Sequence, residues 1–317
     1  MATSVSAKLA SYRPHASDDK TRTILDAFVR YLPEDGARNV SDDILSCDSD
    51  SEMRQLASHL LTAVLVPMKA HGRVQLASES PRIGAECGIE EIASELRESA
   101  ASDEDQVWLK TACLRRDGNS CVISGYYDVN EAMKAQLPES DIPRATVFTE
   151  VTPIFPFSLG NFSEPEISNT STVWEALYRC FPSIRSRDKF SPRKVNSTCN
   201  TMIMQLSLDL AFKRYTLTLE PTGTENNYRV VRYPGFPTIH NRDIPPTGEV
   251  TLTAHNDPYN LLNLPSSSLL EAHAAIAKIL HVTGMGRHIE KVLEERRKIP
   301  CLETEGTTDL QSLLMVF

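Results

Sequence analysis

An α+β fold is predicted for this chain by three patterns. Apolar residues recur every three or four positions toward both ends, which marks amphipathic helices. Short β-branched and aromatic stretches in the middle read as strands. Segments of the two kinds follow one another without an internal repeat, which excludes solenoids and propellers. The 317 residues allow one large domain or two modest ones, and an apolar share of 41% is enough for a packed core.

Residues 1–16 read as a loose tail. Ser17-Asp18-Asp19 is a helix start, after which Ile24, Leu25, Phe28, Val29 and Leu32 form one apolar face that Pro33-Glu34-Asp35-Gly36 ends. A second helix over about 51–70 carries Met53, Leu56, Leu60, Leu61 and Val64 on one side. The stretch from Glu86 to Asp105 has eight acidic residues against Arg97, and it reads as the solvated face of a helix built on Ile89, Ile92 and Leu96. Residues 17–106 are therefore predicted as an N-terminal helical region and 107–317 as an α+β domain with C-terminal helices.

Within that domain, Val122-Ile123 reads as a short strand before a turn, and Ala145–Ile154 as a second strand. Trp174, Leu177, Tyr178 and Phe181 have helical spacing, with a core role preferred over a binding box. Asn200–Phe212 reads as a Met- and Leu-rich helix, and Tyr215–Leu219 and Tyr228–Tyr233 as strands. Ser266–Lys298 is helical in two pieces broken at Gly284-Met285-Gly286, and His273 lies on its apolar face as a core histidine.

Composition narrows function. A formal charge of −9 argues against nucleic acid as a partner, because such binding rests on phosphate neutralisation. The basic cluster Arg179, Arg185, Arg187, Lys189, Arg193 and Lys194 is the one patch suited to phosphate, with a solvated loop the preferred reading. No stretch reaches the roughly 20 apolar residues that span a bilayer, and no secretory h-region opens the chain, so a cytoplasmic location is expected. The seven cysteines form no C-x-x-C pair, which leaves free thiols as the expectation. No phosphate-binding glycine loop and no G-x-S-x-G elbow is present, so no cofactor is expected.

Several motifs then fall in order. They are Arg116-Asp117-Gly118-Asn119-Ser120-Cys121 running on to Ser124-Gly125, the segment EVTPIFPFSL at Glu150–Leu159, and Trp174. Asn196 with Asn200, Leu208-Asp209-Leu210-Ala211-Phe212, Leu269-Leu270 with His273, Thr283-Gly284-Met285-Gly286 and Glu305–Asp309 follow. Over roughly 108–315 this set resembles the fungal branch of the HNH endonuclease-like proteins. The resemblance implies a ββα-metal core with N- and C-terminal helical elements, in which one histidine is the general base, a second holds a divalent metal, and an asparagine braces the loop.

The chain departs from that pattern at both histidines. Pro153 stands at the base position and Asp209 at the ligand position, and no histidine lies between His71 and His240. Proline cannot accept a proton. Aspartate can hold Mg²⁺ through oxygen, but no metal site is expected here. The resemblance therefore implies a degenerate member.

Two classes of function follow. The first is a scaffold reused in fungal terpenoid or other secondary metabolism as a cofactor-independent cyclase of the Diels–Alder type, an isomerase rather than a nuclease. Such a reaction needs an apolar cavity and a donor that polarises a carbonyl. Asn200, Thr152 and Tyr127 are the candidate catalytic donors, and Asn200→Ala is expected to lower turnover without unfolding the chain. Phe155, Phe157, Trp174, Met204 and Asp209 are the candidate lining of the site for a small apolar substrate. The second is a non-catalytic module that binds protein or nucleic acid, with a residual metal-dependent nuclease third. A closed core around Asn200, Asp209, Phe155 and Trp174 favours the module, and an apolar pocket of several hundred Å³ favours the enzyme.

Overall fold

A computed structural model of the protein describes residues 2–70, 77–82, 84–97, 104–142, 144–257 and 261–298. His71 and the Glu305–Asp309 motif lie outside the described residues. The N-terminal stretch supplies α1 (Ala2–Ser11), α2 (Thr21–Tyr31), α3 (Glu34–Ser46), α4 (Asp50–Leu60), a π-helical turn (Leu61–Leu65), α5 (Val66–Ala70) and α6 (Ala85–Arg97). Next come α7 (Glu104–Arg116), β1 (Tyr127–Asp128), α8 (Val129–Lys134), β2 (Thr146–Val147) and β3 (Thr149–Pro153). After α9 (Ile167–Cys180) and α10 (Pro182–Ser186) the chain forms β4 (Thr201–Gln205) and α11 (Leu206–Lys213). It ends with β5 (Leu217–Pro221), β6 (Asn227–Arg232), β7 (Glu249–Thr251), α12 (Ser267–Thr283) and α13 (Met285–Lys298).

The chain divides into two compact units. The first holds residues 1–100, 161–192 and 278–317, and the second holds 101–160 and 193–277. The division falls inside α12, and it differs from the predicted boundary at 106/107 because α9 and α10 join the N-terminal helices.

Among the described residues, all the regular structure of the first unit is helical. α9 is its centre, with Trp174 and Leu177 fully buried. The Trp174 ring packs against Tyr178 at 5.4 Å and Phe190 at 5.8 Å between centroids, in the tilted geometry that aromatic pairs prefer. α3 comes so close to the end of α9 that a Cβ on Gly36 would sit 1.8 Å from the Cys180 carbonyl oxygen. Asn39 donates to the Arg179 carbonyl at 2.9 Å, and Arg179 forks onto Asp43 at 2.7 and 3.1 Å. The acidic face of α6 is partly matched, since Arg185 reaches Glu91 at 2.8 Å and lies 5.0 Å from the Tyr178 ring centre. Two residues of the basic cluster, Arg179 and Arg185, are thus engaged inside the protein. Residues 1–16 are not a loose tail, because α1 buries Val5 and Leu9 and is followed by buried Tyr12.

The second unit is α+β. β3 and β4 form an antiparallel pair, from Thr149 opposite Gln205 to Pro153 opposite Thr201, and α11 follows β4 directly. The result is a ββα arrangement. β5, β6 and β7 make an antiparallel meander, and β1 pairs with β2 in parallel. The expected helix over 200–212 is corrected: 201–205 is strand, and the helix begins at Leu206. Every residue of β4 is buried, so apolar Met202, Ile203 and Met204 face packing on both sides and show no alternation. Val122-Ile123 is a turn region rather than a strand, although the Val122 N–H does donate to the Ile203 carbonyl at 2.9 Å.

A buried ion pair at the end of α7 ties that helix to the ββα arrangement. Arg116, fully buried, forks onto Asp117 at 2.6 and 2.9 Å. It also donates to the carbonyls of Thr198 (2.6 Å), Asn263 (2.9 Å) and Thr201 (2.7 Å). Asp117 in turn accepts from the Ile203 N–H at 2.8 Å. Burial alone would lower the pKa of this guanidinium, but the Asp117 carboxylate outweighs it and raises it. Arg116→Ala leaves a buried carboxylate uncompensated and is expected to cost about 3–5 kcal/mol, measured as a fall in the urea midpoint.

Candidate functional site

β3 has two faces, and the site depends on which residue points where. Thr152, fully buried, donates its hydroxyl to Asp209 on α11 at 2.8 Å. Lys213, one turn further along α11, brings its ammonium 2.8 Å from the same carboxylate. Asp209 is almost fully buried, so its charge is matched by a lysine and a hydroxyl. Pro153 closes the strand opposite Thr201 and offers no titratable atom. His240, the nearer of the flanking histidines within the described residues, instead pairs through Nδ1 with Asp243 at 2.8 Å, and Asp243 also accepts from Gln205 at 2.9 Å. Among the described residues no group of three or more His, Cys, Asp or Glu side chains is placed to hold a metal.

Asn200 is fully buried at the end of the loop before β4. Its amide hydrogens go to the carbonyls of Phe155 (2.9 Å) and Val195 (2.8 Å), and its oxygen accepts from the Phe155 N–H at 2.8 Å. Its own carbonyl accepts from the Ile154 N–H at 2.7 Å. Both amide hydrogens are consumed by backbone, so neither remains to polarise a substrate carbonyl. Asn200 braces the loop, as the resemblance implies, and the expected catalytic role is corrected on that ground.

The proposed wall is likewise not one surface. Phe155 and Met204 are fully buried, and Trp174 is interior to the first unit, against Tyr178 and Phe190. Asp209 and Thr152 meet each other, and Asn200 meets Phe155, but the interior around them is closed packing.

Val151, the neighbour of Thr152, packs on the other side of β3. It joins a cluster with Leu109, Cys113 and Leu114 of α7, Ile203 of β4 and Phe157. Leu109, Leu114, Val151 and Phe157 of this cluster floor a cleft of about 760 Å³. One wall is the face of α7 carrying Val107, Lys110, Thr111 and Leu114, and the opposite rim is Asn130, Glu131 and Lys134 of α8. α8 is fixed at its start by Asp128, whose Oδ1 accepts from the Glu131 N–H at 3.0 Å and whose Oδ2 accepts from the Thr149 hydroxyl at 2.6 Å.

Polar groups converge on the mouth. Arg115 is oriented by the Asn256 carbonyl, to which its Nε donates at 2.6 Å. Asn119 lines the cleft and donates through Nδ2 to the Tyr127 hydroxyl at 3.1 Å. Lys110 lies 3.9 Å from Glu150, and Lys134 donates to Glu131 at 2.6 Å. Tyr127 therefore stands behind Asn119, and Phe157 is the one predicted wall residue that lines the cleft.

The residues that sequence reasoning missed are Asn119, Arg115, Lys110 and Val151. The spacing of Val107, Lys110, Thr111 and Leu114 at i, i+3, i+4 and i+7 is the signal that could have found α7 and its cleft-facing side. No family model, curated protein or solved structure matches the chain.

Asn200→Ala is expected to unpair two carbonyls and one N–H in a dry loop. A loss on the order of 3 kcal/mol should appear in chemical denaturation, with the fold weakened before any change of turnover can be read.

Proposed function

We propose that the chain is a cofactor-independent cyclase of the Diels–Alder type, acting in the α7–α8–β3 cleft on a small, largely apolar substrate that carries a carbonyl. The observation that carries this reading is a cleft of about 760 Å³ with an aliphatic and aromatic floor and several hydrogen-bond donors at its mouth. That is the composition of a small-molecule site. In a [4+2] closure the diene and dienophile exchange three π bonds for one π bond and two σ bonds. No proton or electron leaves, so the loss of a base at Pro153 costs the reaction nothing.

The protein's share is to hold both ends of one substrate in a reactive pose and to stabilise charge that grows on the dienophile carbonyl. Fixing two reactants together can supply on the order of 7–11 kcal/mol of a barrier. The floor of Leu109, Leu114, Val151 and Phe157 excludes water along the apolar body. Asn119, backed by Tyr127, and Arg115, held by Asn256, are the groups proposed to meet the carbonyl. A terpenoid skeleton suits such a floor.

A second reading, a protein-binding module, is favoured by one observation. Phe148, Leu206 and Leu210 are large apolar side chains left half or more exposed, two of them one turn apart on α11. The closed packing around Asn200 is compatible with that reading, and the cleft favours the cyclase.

Thermal denaturation with a panel of terpenoid and polyketide dienes tests the choice. Under the cyclase reading a cleft ligand raises Tm by mass action, and Val151→Arg, which fills the floor from a half-buried strand position, removes that rise while leaving the apo Tm within a few degrees. A panel without effect on the parent protein would sink the reading.

The balance of charge at Asp209 generates a further expectation. Plasmid DNA incubated with the protein and Mg²⁺ should remain uncut, because Lys213 and Thr152 already satisfy the carboxylate at the ligand position. Cleavage that disappears in Asp209→Ala would show that the nuclease ancestry is still active.

A further inference from the structure

The first unit contains its own cavity, of about 330 Å³, between the start of α2, one face of α4 with the π-helical turn, and the start of α13. Its apolar lining is Ile24, Leu61 and Met285. Its polar lining is lopsided. Among the described residues no ion pair joins Lys20 or Arg54 to a carboxylate, and His15 and His288 add two more nitrogen-bearing rings.

The lining contains a single acid, Asp19. Its oxygens are already filled by the Tyr12 hydroxyl (2.5 Å) and the N–H groups of His15 (2.9 Å) and Thr21 (2.8 Å). Burial raises the pKa of this carboxyl, but those three donors outweigh burial and bring it down to about 2. Asp19 is thus a fixed structural anion that orders the turn into α2. Arg54 lines the same cavity from α4.

An independent feature points to the same place. The α4 helix widens into a π turn at Leu61–Leu65, and the first two residues of that turn, Leu61 and Thr62, line the cavity. Thr62 also accepts from the Ser78 N–H at 2.8 Å and donates to the Ser58 carbonyl at 2.8 Å. Single π turns insert one residue into a helix and are frequent at functional sites.

We infer that this cavity is a second small-molecule site, which binds an amphiphilic carboxylate with its chain among Ile24, Leu61 and Met285 and its carboxylate between Arg54 and Lys20. The apolar walls exclude inorganic anions as the best occupant. The two cations favour an anionic head over a neutral alcohol of the same shape, because a half-buried guanidinium prefers a bidentate acceptor. The site lies within one unit and does not depend on the cleft proposed for cyclisation.

The test is calorimetric titration of the full chain with sodium octanoate and, separately, with 1-octanol. Octanoate is expected to bind at one site and octanol to bind about tenfold more weakly or worse, a step equal to about 1.4 kcal/mol. Arg54→Gln should erase the difference between the two probes. Leu61→Trp should abolish binding of both by filling the cavity, and Arg54→Gln carries the test if that variant does not fold. Val151→Arg, in the other unit, should leave octanoate binding unchanged even where it blocks ligands of the cleft. No octanoate binding, equal affinity for acid and alcohol, binding indifferent to Arg54→Gln, or binding lost in Val151→Arg would each overturn the proposal.

Discussion

The Arg116–Asp117 pair is the interaction on which the second unit depends. Two adjacent residues at the end of α7 are buried as ions, which is costly unless every lone pair and hydrogen finds a partner. Here the guanidinium spends its donors on Asp117 and on three carbonyls around β4, and Asp117 spends an oxygen on the Ile203 N–H. The pair therefore fixes where α7 ends relative to β4. The chain then turns through Gly118, at φ +63°, where an added Cβ would press on the His255 ring at 3.0 Å. Because α7 is pinned at that end, its apolar side meets Val151, Ile203 and Phe157, and its polar side is left to line a cleft.

The two faces of β3 then carry two different chemistries. On the α11 side, Thr152, Asp209 and Lys213 form a closed, neutralised set. On the α7 side, Val151 opens onto space that a ligand can fill. A residue-by-residue transfer of the nuclease pattern leads to the first face, since Pro153 and Asp209 are the positions that the motifs mark. The strand's period of two is what separates them: Thr152 and Val151 are neighbours in sequence and look in opposite directions. An ammonium 2.8 Å from Asp209 supplies the positive charge that a carboxylate in that buried position requires, so Asp209 is not left as an unpaired buried ion.

The sequence is legible where one local period governs. The helices α2, α4 and α6, the C-terminal helices with their break at Gly284, the strands at 149–153, 217–221 and 227–232, and the core position of His273 follow from spacing alone, whereas α3 does not. β4 is misread because all five of its residues are buried, which removes the alternation that marks a strand and leaves Met and Leu content that resembles a helix. α1 is missed because only Val5, Leu9 and the following Tyr12 are buried, too few apolar positions to stand out in a Ser- and Ala-rich stretch. The affiliation of residues 161–192 with the N-terminal helices is a long-range fact, carried by contacts such as Gly36 against Cys180, and no local pattern encodes it. The bracing role of Asn200 was readable from the motif. Its unavailability to a ligand was not, because that depends on Phe155 and Val195 returning to meet it.

Charge supplies the last link between fold and function. The chain as a whole carries −9, yet the cleft rim combines Lys110, Arg115 and Lys134 with Glu131, Glu150 and Asp128. Lys134 is matched by Glu131, Lys110 lies at 3.9 Å from Glu150, and Asp128 is committed to capping α8. Arg115 is the exception: it has a carbonyl, Asn256, rather than a carboxylate as its partner, so it keeps its charge for the mouth of the cleft. A polyanion meets three acids on this rim and gains little from it, since its binding rests on many cations with few competing anions. A small molecule with one carbonyl needs a single oriented donor above an apolar floor. The rim offers that arrangement at Arg115 and Asn119, and the proposed small-molecule reading rests on this balance between spent and unspent donors more than on the volume of the cleft.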